Sequence, residues 1–511
     1  MTDGSWSRRL LHRALRRTGL QTHLRAARAA GTVPRLVGRM ALRARTEPTP
    51  EAVAAAGADG DGPLADRLAT HVRQARGRGE SGLESFAAAT ADDHPHLARA
   101  VRQVGAATGA PAGERRRRLE RATETAMQGV EDRSAAAASA LDGPVTAVYA
   151  FGVLLPLALV GVLPAAATAG VPGGVLLATV VVGYDLLLPG ALLGAAGWLL
   201  ARRPVAFPRE PVPASHPARH DGPWRAIAVG AGAGVLAGAV VGLLPPVPGW
   251  AAPVAAAGVA GSGLAVHCRP AVTVRERAAA MERALPDALV AVGREVAAGV
   301  AVERAIAEAA DSLGEPAGGA FEVATERGRR LGCGVETAFL GPGGPVANLP
   351  SPRLARAVGT LAQAGRIGPP AGSLLVATGE HLDQLRRLAE RTRRETARLT
   401  ATLANTAAVF GPLVGGTTVA LAAGTARRAG GAAGTTLTNR GAPGLGTTLP
   451  VADLGLAVGG YVLVLAALLT ALATGLRYGM DRARIGYRVG LALPLAATVF
   501  CLALVAGSAV V

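Results

Sequence analysis

Residues 285–310 read LPDALVAVGREVAAGVAVERAIAEAA, and the spacing of their apolar members decides what fold to expect. Leu285, Leu289, Val292 and Val296 recur at i, i+4, i+7 and i+11, which is one face of an amphipathic helix. Pro286 suits the first turn of that helix, where a missing N–H costs nothing. Gly299 suits its stop. A second helix follows, with Val302, Ala305, Ile306 and Ala309 on one side. Further on, residues 380–403, EHLDQLRRLAERTRRETARLTATL, make a long charged helix that runs toward an apolar stretch. The pattern predicts a soluble helical bundle tied to something apolar.

Composition says what the apolar part is. Of 511 residues half are hydrophobic and only 17% are charged, with a mean hydropathy of +0.32; soluble proteins average about 25% charged. The charge is concentrated in 1–140 and 268–402, while 145–200, 226–267, 403–426 and 451–511 are almost free of it. Crossing a bilayer takes about 20 apolar residues. Seven segments qualify, near 145–164, 174–200, 226–244, 250–267, 403–424, 451–475 and 487–510. Arginine placement orients them. Arg202, Arg203, Arg209, Arg219 and Arg225 mark one inside loop, and Arg477, Arg482 and Arg484 another, whereas the links 165–173 and 245–249 are uncharged. The N-terminus and 268–402 are then cytoplasmic and the C-terminus external. Loop 425–450, with Arg427, Arg428 and Arg440, is outvoted.

The predicted organisation is a basic arm and linker over 1–62, a first helical domain over 63–144 and four spans over 145–267. A second helical domain over 268–402 and three spans over 403–511 complete it. The linker reading rests on TEPTPEAVAAAGADGDG at 46–62, which is rich in Pro, Gly and Asp and has no apolar period. Eleven arginines between Arg8 and Arg45 read as an arm lying on anionic lipid headgroups rather than on nucleic acid.

All the basic residues are arginine; the chain contains no lysine. A Walker A loop needs a lysine beside the phosphates, and Schiff-base chemistry needs a lysine amine. The chain is therefore not expected to be its own ATPase. Cys268, Cys333 and Cys501 are too few and too scattered for a disulfide framework or a zinc site. The nine histidines form no metal-binding cluster, so no metal and no cofactor is expected.

The chain also repeats itself. Pro95–Val101 reads PHLARAV and Pro352–Val358 reads PRLARAV, 257 residues on. Upstream stand Gly82-Leu83-Glu84-Ser85 and Gly334-Val335-Glu336-Thr337, each after an Arg/Gly-rich turn. Downstream, both copies pass through a long charged helix into a span, where Phe151-Gly152 answers Phe410-Gly411 at a shift of 259. These landmarks predict a duplicated unit, a cytoplasmic bundle followed by membrane helices. In the first copy no sequence partner for the helix pair 285–310 is evident.

With its continuation ATERGRRLGCGVETAF (324–339), the 285–310 stretch resembles the type II secretion system F domain. The resemblance covers 283–426 well and 64–165 weakly. Two such domains leading into membrane helices are similar to the archaeal platform proteins of type IV pili and archaella, and more distantly to tight-adherence platforms. The resemblance implies an all-α, non-enzymatic platform in the cell membrane, a homodimer by family analogy. It would seat a hexameric secretion ATPase in the cytoplasm and deliver pilins or archaellins to a filament. Arg294, Glu295, Glu303, Arg327 and Glu336, together with Arg386 and Arg387, are then candidate ATPase contacts. The plainer reading is a solvated helix face.

Two features lie within the spans. Gly230, Gly234, Gly238 and Gly242 recur every four residues, a stripe that lets another helix approach closely. The neighbour could lie in this chain, in a second copy or in a pilin. Asp185, mid-span in VVVGYDLLLPG, is expected to serve pilin handling or helix pairing, or to bond locally to backbone freed by Pro189 or to Tyr184. The rival class is a transporter or channel with duplicated halves, which would need several polar residues converging within the spans.

Overall fold

The computed structural model describes residues 20–60, 62–79, 81–154, 156, 178–202, 216, 223–244, 247–433 and 451–510. Among them the chain is helical throughout, with no strand. In chain order the helices begin with α1 (Leu20–Thr46), α2 (Pro50–Ala58), α3 (Pro63–Arg76), α4 (Gly82–Ala89), α5 (Pro95–Thr108) and α6 (Ala112–Tyr149). Then come α7 (Leu188–Arg202), α8 (Pro223–Leu243), α9 (Ala251–Ala260) and α10 (Ser262–Ala297). They are followed by α11 (Val302–Ser312), α12 (Ala317–Leu331), α13 (Val335–Leu340), α14 (Pro352–Ile367) and α15 (Pro370–Asn405). Last are α16 (Gly411–Ala433), α17 (Val451–Tyr478) and α18 (Arg482–Val510).

Two compact units emerge. One comprises residues 1–138, 204–216 and 273–394 and holds two helical bundles. In its first bundle, Val33, Leu36, Val37 and Met40 of α1 meet Leu64 and Leu68 of α3, Phe86 of α4 and Leu97, Val101 and Val104 of α5. Local chemistry starts these helices where it should. Pro50, Pro63 and Pro95 occupy first turns, and the Thr49 and Ser81 hydroxyls accept from the amides of Ala52 and Glu84.

The expected linker is not a linker at its centre. Residues 50–58 form α2, with Val53, Ala54 and Gly57 buried. The run VAAAGA lacks an apolar period but has high helix propensity, and its small side chains let α2 lie close to its neighbours. A Cβ on Gly57 would come within 2.5 Å of the Leu68 side chain. The basic segment before it is likewise core: Val33 to Ala44 of α1 supply six of the buried apolar side chains.

The second bundle packs Leu285, Leu289, Val292 and Val296 of α10 against Ile306 of α11, Phe321 of α12, Phe339 of α13, Leu354, Val358 and Leu361 of α14 and Leu375 of α15. Pro286 does not open a helix, as its position had implied. It lies inside α10, because the buried stripe Ala278, Met281, Leu285, Ala288, Leu289 runs across it and holds the helix together. Gly299 does stop α10, at φ +93°. Buried positions of the first bundle recur in the second. Val33, Leu36, Val37, Met40 and Ala44 have buried counterparts 252 residues on, at Leu285, Ala288, Leu289, Val292 and Val296. Val53 and Ala54 correspond in the same way to Ala305 and Ile306, and Leu83, Phe86 and Ala87 to Val335, Ala338 and Phe339. At the original repeat, Leu97, Ala100, Val101, Val104 and Ala107 match Leu354, Ala357, Val358, Leu361 and Ala364 at 257.

The other unit comprises residues 139–203, 217–272 and 395–511. Among the described residues of the chain, six helical stretches are long and apolar enough to cross a membrane: Ala178–Leu200, Trp224–Leu243, Ala251–Ala297, Thr400–Thr425, Val451–Tyr478 and Arg482–Ala509. Leu186, Leu187, Trp224, Ile227, Val235, Leu236 and Leu243 lie at its surface, an apolar exterior suited to lipid and not to water. The chain is thus a multi-pass membrane protein in character. The later part of the first expected crossing, 145–164, lies outside the described residues, as do most of the loop 201–225 and the later part of 425–450. Among the described residues, three apolar segments are wound as π-helix: Ala150–Leu154, Val181–Leu187 and Thr406–Phe410.

Candidate functional site

The seven polar residues chosen on the second bundle divide into two kinds. Arg294, Glu303 and Glu336 are exposed and Glu295 is half-buried; among the described residues none of the four side chains has a hydrogen-bond or ion-pair partner. Arg387 is exposed and pairs with Asp383 one turn back at 2.8 Å. Arg327 and Arg386 are committed to holding the fold. Arg327 donates to the Pro342 carbonyl at 2.9 Å and pins the turn after α13 onto α12. Arg386 donates to the Arg283 carbonyl at 2.8 Å and ties α15 to α10. That donation meets backbone near Pro286, whose ring leaves the Glu282 carbonyl without its usual helical donor. Sequence could not separate these groups, because a clamp and a free surface arginine occupy the same kind of helical position. Gly332, by contrast, has the left-handed backbone (φ +60°) that a helix stop requires.

Sequence reading passed over the seam within this unit. Along α15, Gly379 takes the backbone of α10, since a Cβ there would lie 2.7 Å from the Pro286 carbonyl oxygen and 2.8 Å from Val290 Cγ2. Two residues later His381 packs on Gly38 of α1, where a Cβ would lie 2.2 Å from Nε2. Burial pushes the His381 imidazole down to about 4, and the positive charge of Arg45 adds to the effect. Arg391 further along α15 donates to Glu131 of α6 at 2.9 Å. The helix α15 is therefore packed between the bundles. Neither Gly38 nor His381 carried any signal in sequence, because a glycine facing a histidine from 343 residues away has no local period.

In the membrane unit the glycine stripe has its neighbour in this chain. A Cβ on Gly230 would lie 2.6 Å from the Ala260 carbonyl oxygen, and one on Gly234 would lie 2.7 Å from that of Ala256. For Gly238 the nearest atom is Ala256 Cβ at 3.1 Å, and for Gly242 Ala252 Cβ at 3.7 Å. The helix α8 thus lies backbone to backbone on α9 and the start of α10, and it opens gradually toward Gly242. Gly263 returns the contact, with a Cβ there 2.4 Å from the Ala226 carbonyl oxygen.

Asp185 lies in the π-helical turn Val181–Leu187, exposed beside Leu186 and Leu187. It has no hydrogen-bond or ion-pair partner among the described residues. Gly460 of α17 faces it: a Cβ there would be 4.0 Å from Oδ1. The side chain of Tyr184 lies outside what is described. The neighbouring residue, Tyr461, is wholly buried and donates its hydroxyl to the Gly152 carbonyl at 2.6 Å. Gly152 lies in the π-helical turn Ala150–Leu154, where a widened ladder leaves carbonyls short of donors. A buried tyrosine opposite such a turn is a signal that sequence alone does not give. No group of three or more His, Cys, Asp or Glu able to hold a metal occurs among the described residues. No family model, curated protein or solved structure matches the chain.

Proposed function

We propose that this chain is the membrane platform of a filament-assembly machine of the type IV pilus and type II secretion kind. In this reading two soluble heads related by duplication, each of F-domain type, face the cytoplasm and are carried on seven spans, the first over 145–164. A separate hexameric ATPase hydrolyses the nucleotide, and the heads pass its movement to pilins held by the spans. The observation that supports this most is the repeated core. A constant separation of 252 residues relates buried positions of α1, α2 and α4 to those of α10, α11 and α13, with Pro34 opposite Pro286. The helix pair that lacked a counterpart in sequence thereby gains one in α1 and α2.

Arg294, Glu303 and Glu336 remain unpaired at the surface, as docking groups would be.

The test uses the full chain in lipid nanodiscs with its cognate secretion-type ATPase. Charge reversal at Arg294, Glu303 and Glu336 together should abolish co-purification of the ATPase, and deletion of the gene should remove surface filaments. Cells that keep normal filaments after deletion would sink the proposal.

A further inference from the structure

A cavity of about 270 Å³ opens between the ends of α15, α17 and α18 in the membrane unit. Three helical stripes line it. The α17 stripe is Thr470, Thr474 and Arg477, with Tyr478 beside them. The α18 stripe is Arg488, Leu491 and Leu495, and the end of α15 contributes Thr400 and Asn405. Thr470 and Thr474 are buried, each 6% exposed, and form the polar floor. Arg477, Arg488 and Asn405 are exposed at the mouth.

The electrostatics of this cavity are unbalanced. No carboxylate lines it. The nearest acid along the chain, Asp481, is engaged elsewhere: its Oδ1 accepts from the amides of Ala483 and Arg484 and caps α18. Among the described residues the side chains of Thr470, Thr474, Arg477, Arg488 and Asn405 make no hydrogen bond. Arg477 rests on the Tyr478 ring, 5.2 Å from its centroid, and Arg484 lies 4.6 Å from the same centroid. Two guanidiniums, two hydroxyls and an amide thus converge on one space, and no carboxylate of its lining balances the two positive charges. Leu491 and Leu495, on the same wall, are about half exposed, so the cavity also opens sideways onto the apolar surface of the spans. The π-helical turn Thr406–Phe410 begins at its edge, next to Asn405.

We infer that this cavity is a binding site for a phosphate-bearing anion. The guanidiniums would hold the phosphate oxygens by charge-assisted bonds, and the threonine hydroxyls would take those that point inward. Basic pockets between the ends of membrane helices hold lipid headgroups in this way. The lateral opening past Leu491 and Leu495 gives an acyl chain an exit into the bilayer, so an anionic phospholipid fits all of the walls. Free phosphate fits only the polar ones. The site is independent of the platform reading and rests only on the six apolar helices.

The experiment uses the full chain in neutral detergent, with native mass spectrometry and thermal unfolding as readouts. Its probes are phosphatidylglycerol, phosphatidylcholine with the same chains, and inorganic phosphate. Phosphatidylglycerol should bind and raise the unfolding temperature well beyond phosphatidylcholine. The double variant Arg477→Gln/Arg488→Gln should weaken that binding by about tenfold or more while unfolding like the parent in phosphatidylcholine. Thr470→Val/Thr474→Val keeps the shape of the floor and should weaken binding less. Inorganic phosphate that stabilises the chain and competes with phosphatidylglycerol would make the soluble anion the ligand; no effect of phosphate would make it the lipid. Arg482, exposed and outside the lining, is the control. If Arg482→Gln costs as much as the double variant, or if phosphatidylglycerol binds no better than phosphatidylcholine, the site does not exist.

Discussion

The two helical bundles bury residues at matching spacings but fill those positions differently. At α4 the first bundle buries Phe86 followed by Ala87, while at α13 the second buries Ala338 followed by Phe339. The ring has moved by one residue, and the small side chain has taken its place. Each ring meets a partner on the preceding helix. Phe86 lies edge-on to His71 of α3 at 5.9 Å between centroids, and Phe339 edge-on to Phe321 of α12 at 5.2 Å. Total core volume tolerates such redistribution provided that the pattern of burial holds. The difference teaches that burial register, not residue identity, relates these bundles. It also explains why the likeness between the two bundles is hard to see in their letters.

The largest test attacks those rings. Phe86→Ala and Phe339→Ala should each cost about 3–5 kcal/mol by transfer and cavity terms, read as loss of resistance to limited proteolysis in the corresponding bundle. The double change Phe86→Ala/Ala87→Phe copies the second arrangement into the first and should recover most of the loss. A double variant weaker than Phe86→Ala alone would break the comparison.

The seam offers the next test. At corresponding positions α1 has Gly38 under His381, and α10 has Val290 against Gly379. Only the first contact titrates. The folded His381 sits near 4, below the usual value of about 6.5, so the unfolded chain binds a proton first as pH falls. Its stabilising contribution is complete above about pH 6.5 and is lost as pH drops toward 4, by about 3 kcal/mol at most. Arg45 faces the ring, and Glu120, Glu124, Glu380 and Asp383 line the adjoining cleft. Thermal unfolding of His381→Gln between pH 7.5 and 4.5 should therefore be flatter than that of the parent chain. Gly38→Val, which writes the second bundle's residue into the first, should overfill the contact and cost about 1–3 kcal/mol.

The smallest effect concerns Glu51 and Glu303, which occupy the first turns of α2 and α11 and are both exposed. Alanine at either should change stability by less than about 0.5 kcal/mol. In ATPase co-purification only Glu303→Ala should weaken binding. An equal loss from Glu51→Ala would assign docking to both bundles alike.

Sequence alone determined the helical character, the division into charged and apolar stretches and the core face of α10, because these follow from composition and a local 3.6-residue period. It also picked out the like phrases at Pro95 and Pro352, and both open helices with Pro at the first turn. The tertiary structure decided what depends on distant partners. It showed that 50–58 is core and not linker, that Pro286 lies mid-helix, and that the glycine stripe of α8 packs on α9 and α10 of the same chain. It separated the clamping Arg327 and Arg386 from the unpaired Arg294, Glu303 and Glu336. Gly38 under His381, and Tyr461 on the Gly152 carbonyl, join residues hundreds of positions apart. No periodicity reports such a pair, because the free energy of a contact depends on where the chain returns and not on its neighbours in sequence.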